Sequence, residues 1–299
     1  GIPVHACFAY ACRGQSYFRG MRLTRGRAYV IALILLFCVR YFLYGGAPLT
    51  DDEWAYQFQA ATFAQFQLWA PPPPDSIHFD YLFLTVDDGR WYCYLQPGLA
   101  FLMVPGQWIA GDGYLSLLPV VAAIVPATMT LANRVVGTDM GPLAGWLILG
   151  SPWFLFTAST VEPYAPLALI LVLVLIQIHR WLNSNTASNP SQRAVFAMGA
   201  LMGGLLLLRG LEFGLVGLVL LGIFLWRAFI HKRWRLTLFD GLRFLIALTP
   251  FVSIQLGYDY ALTGDFTNNG TETIRFLQVT VAFLDKDGGT LGTDKWPLV

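Results

Sequence analysis

An all-α integral membrane protein, a polytopic helical bundle, is the fold class the sequence predicts, and three observations predict it. Of 299 residues, 56% are hydrophobic and only 12% charged, against roughly a quarter charged in a soluble domain. Apolar stretches near spanning length recur along the chain, and arginines cluster beside some of them and avoid others. The mean hydropathy of +0.55 agrees with lipid as the solvent of much of the surface. A net charge of +1 makes no electrostatic case for nucleic acid. Cys7, Cys12, Cys38 and Cys93 have neither metal spacing nor the layout of a disulfide framework.

A bilayer core needs about 20 mostly apolar residues per helix. The first such stretch is 28–44, whose Arg40 is expected to snorkel outward from the span's end. Further stretches are 97–111, 114–136, 141–158, 164–182, 194–226 and 242–262. The run 194–226 is too long for one span and is expected to break between Gly210 and Gly217, so seven or eight spans follow. Arg13, Arg19, Arg22, Arg25 and Arg27 make 1–27 a basic segment that the positive-inside rule places in the cytoplasm. The cluster "RAFIHKRWR" at 227–235 belongs on the same side, and 45–96 becomes an outer loop. Arg180 and Arg193 favour an inner 183–193 loop, yet four full spans between 97 and 182 would put that loop outside. The stretch 97–111, with two prolines and fifteen residues, is therefore expected to be half-length or re-entrant. The sequence lacks an initiator Met and a signal-peptide layout, and 28–299 is expected to be one membrane domain, cut short at its C-terminus.

The outer loop opens with "LTDDEWAYQFQAATFAQFQLWAPPPP" (49–74). Residues 51–69 read as a helix with Asp51, Asp52 and Glu53 in its first turn, where acids suit the helix dipole and the cap. Trp54, Phe58, Phe66 and Trp69 recur near helical spacing between glutamines, the pattern of a helix lying in the membrane interface. Four prolines end it. "FDYLFLTVDDGRWYCYL" (79–95) reads as a hairpin with "DDG" as its turn. The acids have two readings: solvated capping residues, or carboxylates held where a lipid-linked substrate presents its headgroup and able to act as a general base.

This loop resembles the GT-C superfamily of membrane glycosyltransferases, in particular bacterial family-39-like proteins related to protein mannosyltransferases and aminoarabinose transferases. "DDEWAYQFQA" is similar to their acidic pair and "AY-x-FQA" helix, and "DDGRWYCYLQPG" to their "DGRWY-x-KYPPG" segment. "SPWFLFTASTVEPYAPLAL" (151–169) and "YDYALTGDF" (258–266) resemble later motifs in the same order. The resemblance implies a GT-C-like helical bundle in the cell inner (plasma) membrane, with an outer-face catalytic loop. It implies sugar transfer from a polyprenyl-phosphate donor to a lipid, polysaccharide or protein acceptor. Asp52 matches the catalytic acid, with Glu53 as its partner and Asp51 as second choice. Tyr94 stands where the family carries a Lys thought to meet the donor phosphate, and Gln96 replaces the first proline of "PPG".

For the phosphate, Arg209 in "LLLLRGLEF" is the candidate cation, because a charge inside an apolar run is costly and usually functional. Its bland alternative is an ion pair with Glu212 at i+3. Arg90 is a second candidate or a solvated turn residue. Glu162 either lines the site or is a helix-start acid before Pro163. His78 and Asp80 lack ligand spacing, so no metal is assigned and no cofactor is expected, a divalent cation being the one alternative. The rival functional classes are a non-catalytic or diverged membrane scaffold and a polytopic transporter, the latter disfavoured by the absence of an internal repeat.

Overall fold

The computed structural model describes residues 23–74, 83–137, 140–183, 189–231 and 234–264. Arg13, Arg19, Arg22, Asp75, His78 and Asp80 lie outside the described residues. Helix predominates. It runs α1 (Arg25–Cys38), α2 (Asp51–Ala64), then a two-stranded hairpin of β1 (Leu84–Asp87) and β2 (Arg90–Cys93). After it come α3 (Gly98–Ala110), α4 (Tyr114–Ala122), α5 (Ile124–Val135), α6 (Met140–Leu149), α7 (Pro152–Ser159), α8 (Tyr164–Leu182), α9 (Asn189–Leu208), α10 (Gly210–His231) and α11 (Trp234–Thr263).

Among the described residues, five helical stretches are long and apolar enough to cross a membrane: Arg25–Leu43, Tyr114–Val135, Tyr164–Leu182, Gly210–Ile230 and Thr237–Thr263. The count is lower than hydropathy suggests because three apolar runs fold into shorter pieces. The 141–158 run breaks between α6 and α7, where the Ser151 hydroxyl caps the Phe154 N–H at 3.3 Å and Pro152 begins the new helix. The 194–226 run parts at Arg209, just ahead of the expected Gly210–Gly217 break. The 97–111 run forms α3, thirteen residues or about 20 Å long, too short to span.

Both ends of α3 lie with the same group of helix ends. At its start, Gly98 approaches α9 so closely that a Cβ there would sit 2.6 Å from the Leu207 carbonyl oxygen. Just past its end, Asp112 accepts a hydrogen bond from Tyr41, near the end of α1. That end of α1 also meets the end of α7, where the Ser159 hydroxyl donates to the Leu36 carbonyl at 3.5 Å. Tyr114, at the start of α4, donates to the Ala158 carbonyl at 2.9 Å.

The opposite helix ends carry basic charge. Arg25, Arg134 and Arg180, from the start of α1 and the ends of α5 and α8, lie within electrostatic reach of one another. Nearby on α8, the Trp181 indole N–H donates to Asp240 of α11 at 3.0 Å, and Arg227 of α10 donates to the Trp181 carbonyl at 2.7 Å. Between the two ends a core of Val174, Met198, Met202, Leu205 and Leu220 joins α8, α9 and α10.

Of the hairpin expected over 79–95, residues 79–82 lie outside the described residues, and the rest forms the hairpin. Asp88 and Gly89 take left-handed φ values of 47° and 71°, which suit a tight type I′ turn, and Asp87 pairs with Arg90. The helix before it is shorter than expected. It stops at Ala64, and Phe66 lies beyond the end with φ 60° and 87% exposed. Its faces also differ from the aromatic stripe: Tyr56, Gln59, Ala60 and Phe63 are buried, while Trp54 is exposed. One side packs on α3, with Phe63 stacked 4.7 Å from Phe101. The other packs on the hairpin, with Phe58 4.3 Å from Trp91. The glutamines serve the docking, since Gln59 donates to the Leu95 carbonyl at 3.0 Å and Gln107 to Gln57 at 2.9 Å.

The chain divides at Gln255 into two units. In the second, the described residues are the last turns of α11, ended by Gly264 at φ 74°.

Candidate functional site

The first turn of α2 is built by its cap. Thr50 has extended backbone, and its hydroxyl accepts from the Glu53 N–H at 3.3 Å. Thr50 and Glu53 have the Thr-x-x-Glu spacing of a capping box, in which the glutamate would reach back to the cap. Here the glutamate is diverted. Its Oε2 meets Arg40 Nη1 at 2.8 Å, with neither side chain exposed at all.

Arg40 therefore does not snorkel. Immediately after α1 the helix widens into a π turn over Val39–Leu43, and Arg40 is buried within it. Its guanidinium lies 5.2 Å from the centre of the Tyr114 ring. Burying an ion so deep is costly unless a counter-ion comes with it, and Glu53 is that counter-ion. Glu53, expected as the partner acid of Asp52, is enclosed and paired with Arg40.

Asp52 lies on a different side of the turn. Burial pushes its carboxyl above the ordinary carboxylate value, Arg209 pulls it down, and Asp51 pushes it up. Glu162, in the turn between α7 and α8, accepts a 3.4 Å hydrogen bond from the Thr50 hydroxyl. Its carboxyl is also raised, first by burial and then by Glu53 and Asp52, with Thr50 and Arg209 acting against them. Arg209, at the junction of α9 and α10, sits 5.0 Å from the centre of the Tyr164 ring and pairs with Glu212 at 2.9 Å. Burial lowers its pKa, but the Tyr164 hydroxyl and Glu212 outweigh it and hold the guanidinium charged. Burial likewise pushes the Tyr56 hydroxyl up, with Cys93 and Asp52 adding to it and Arg209 opposing.

Asp52, Glu162, Arg209, Tyr164 and Tyr56 therefore form one electrostatic cluster at the end of the helices that α3 also occupies. The i+3 pair with Glu212 is present, and it leaves Arg209 acting on both Asp52 and Glu162. Asp51 is exposed at the rim. Arg90 is held at the far end of α2, and Tyr94 packs within the hairpin. Arg90 stacks 4.6 Å from the centre of the Trp69 ring, past the C-terminal end of α2, and Tyr94 packs 6.0 Å from Phe83 at the base of the hairpin. The length of α2, fourteen residues or about 20 Å, separates that end from the acids. Gln96 does approach the cluster, because a Cβ on Gly210 would sit 3.8 Å from its Nε2.

Three participants escape a reading by motif: Arg40, Thr50 and Tyr164. Thr50 was signalled by the capping-box spacing. For Arg40 the signal was a charge one turn inside a span whose following loop is acidic. Tyr164 had none. Among the described residues no group of three or more His, Cys, Asp or Glu side chains is placed to hold a metal ion. A groove of about 400 Å³ runs elsewhere, along α8 and α9, lined by Leu173, Gln177, Ala197 and Gly204 among others.

Fold and site together define a helical membrane protein with a charged cluster at one end of its helices. No family model, no curated protein and no solved structure matches the chain.

Proposed function

We propose that the protein is a membrane glycosyltransferase of the GT-C type, using a polyprenyl-phosphate sugar donor, with Asp52 as general base. The observation that carries this reading is the Thr50–Glu162 hydrogen bond, which ties the first turn of α2, with Asp52, to the turn before α8, where Arg209 lies 5.0 Å from the Tyr164 ring centre. The acceptor hydroxyl gives its proton to the Asp52 carboxylate as its oxygen bonds to the anomeric carbon. The bond from that carbon to the phosphate oxygen breaks, and its electron pair leaves with the lipid phosphate. Arg209 balances that charge, the role that the resemblance gives to a Lys at position 94. A carboxyl raised by burial is a stronger base than a solvated one. Glu162, raised as well, shares the site and orients the acceptor or sugar hydroxyls.

The same reading sets the orientation. With α3 not crossing, α1, α4–α5, α6–α7, α8, α9, α10 and α11 alternate across the bilayer. Arg25, Arg134, Arg180, Arg193 and Arg227 then share the inner side. The acids and Arg209 share the outer side, in the plasma membrane of the cell.

The test is sugar transfer in proteoliposomes with a panel of polyprenyl-phosphate donors. Loss of a general base costs about 100- to 10,000-fold in rate, so Asp52→Asn should lose that much. Full transfer by Asp52→Asn would overturn the base assignment. No transfer by the parent chain with any donor would favour the scaffold reading, which the Arg209–Glu212 pair also suits.

A further inference from the structure

We infer that Arg40 is a positioning residue, which holds Glu53 so that its neighbour Asp52 is presented to Glu162 and Arg209. The inference rests on the proposed role of Asp52. Consecutive residues of a helix project about 100° apart, so pinning the Glu53 side chain against α1 fixes the direction in which Asp52 leaves α2. The pinning is a single hydrogen bond of 2.8 Å between two fully enclosed groups. Among the described residues, Arg40 Nε and Nη2 and Glu53 Oε1 meet no hydrogen-bond partner.

Buried ion pairs so incompletely satisfied are often no more stabilising than apolar side chains of similar size. What this pair adds is direction, because one fork must meet one carboxylate. Two features aim that contact. The π turn over Val39–Leu43 sits where Arg40 turns inward, and the Tyr114 ring flanks the guanidinium at 5.2 Å. The same turn of α2 is held from its other side, where Thr50 caps the Glu53 N–H and donates to Glu162. Asp52 stands between these two anchors. Arg40 itself is sealed from any substrate, so its effect on the reaction passes entirely through Glu53.

Stability and position are separable in the double variant Arg40→Leu/Glu53→Leu, which removes both charges and fills the space. If the pair were only structural, that variant would match the parent in melting temperature and in transfer. A positioning role predicts the parent's melting temperature, the parent's Kd for undecaprenyl phosphate in nanodiscs, and the parent's KM for the donor. It predicts a kcat lower by about 100-fold, the cost of displacing a reacting group by roughly 1 Å. An unchanged kcat overturns the proposal. Should the double variant not fold, Glu53→Asp keeps the charge but shortens the arm, and it should show the same split of kcat from KM to a smaller degree. Labelling of Asp52 by a water-soluble carbodiimide and an amine, read by peptide mass spectrometry, needs no sugar substrate. It should run several-fold faster in the double variant than in the parent, and equal rates would overturn the positioning role. Full transfer by Asp52→Asn would instead sink the base assignment while this labelling still judged Arg40.

Discussion

Glu162 accepts a hydrogen bond from the Thr50 hydroxyl across 3.4 Å, and so the cap of α2 is tied to the turn between α7 and α8. One hydroxyl serves two ends, because it also accepts the Glu53 N–H at 3.3 Å. Thr50→Ala removes both contacts. Loss of an N-cap costs about 1 kcal/mol, so thermal unfolding in detergent should show a destabilisation of that order. The Thr50 hydroxyl also holds the Glu162 carboxyl down against burial and its acidic neighbours. The Glu162 carboxyl should therefore titrate higher in Thr50→Ala than in the parent, read by carbodiimide labelling across pH. An unchanged titration would mean that the hydroxyl does not act on Glu162.

The raised carboxyls make a second prediction, about pH and stability. Asp52 and Glu162 have native pKa values above their ordinary ones of 3.8 and 4.5, so the folded state binds their protons more tightly than the unfolded chain does. Their contribution is then fully present below the unfolded pKa and is lost as pH rises through the folded one. At neutral pH both groups weigh against the fold. Asp52→Asn and Glu162→Gln should each raise the melting temperature at about pH 7 and give no gain below about pH 4. Both groups are partly exposed, so solvent keeps the gain small. A loss of stability at neutral pH would contradict the assigned direction of the shifts.

At the opposite helix ends, Trp181 of α8 is held by Asp240 of α11 and by Arg227 of α10. The Arg227 guanidinium also lies 4.2 Å from the Trp181 ring centre. Trp181→Phe keeps a six-membered ring and removes the indole N–H together with the rest of the fused five-membered ring. Asp240 would retain Arg243, at 3.0 Å. Leaving one buried acceptor short costs about 1–3 kcal/mol, and thermal unfolding should show it. The proposed sugar transfer should be unchanged in the intact fold, since this lock lies at the opposite helix ends from Asp52. A fall in kcat at full stability would show coupling between the two ends.

How much of this was legible depends on the range of the contacts. The helical membrane class follows from composition, and the hairpin from two residues of turn chemistry, Asp88 and Gly89. Both are local properties. The acids were correctly placed in the first turn of α2, because capping is local too. The direction of Glu53 was not legible, since it depends on Arg40, thirteen residues earlier and beyond a bend. Arg40 read as a snorkelling residue because hydropathy cannot report a counter-ion arriving from the next helix. The end of α2 was overestimated, since nothing in "QFQLW" forbids helix and the positive φ of Phe66 arises where α2 meets α3. The short α3 was suspected from its prolines and length, but its course depends on docking to Leu207 and Tyr41.

That course yields the last prediction. Hydropathy alone lets 97–111 cross the membrane, which would put residues just before and just after it on opposite faces. In the structure both ends of α3 join the helix ends that carry Asp52, through Gly98 against Leu207 and Asp112 against Tyr41. Single cysteines at Asp51, Ala110 and Asn183, all exposed positions, tell the two arrangements apart in a background lacking the native cysteines. A membrane-impermeant maleimide added outside right-side-out vesicles should label Asp51→Cys and Ala110→Cys and spare Asn183→Cys. Inverted vesicles should give the reverse pattern. If Ala110→Cys labelled with Asn183→Cys instead, α3 would cross. Arg180 and Arg193 would then stand on the acidic side, and the shared inner face of the arginines would be lost.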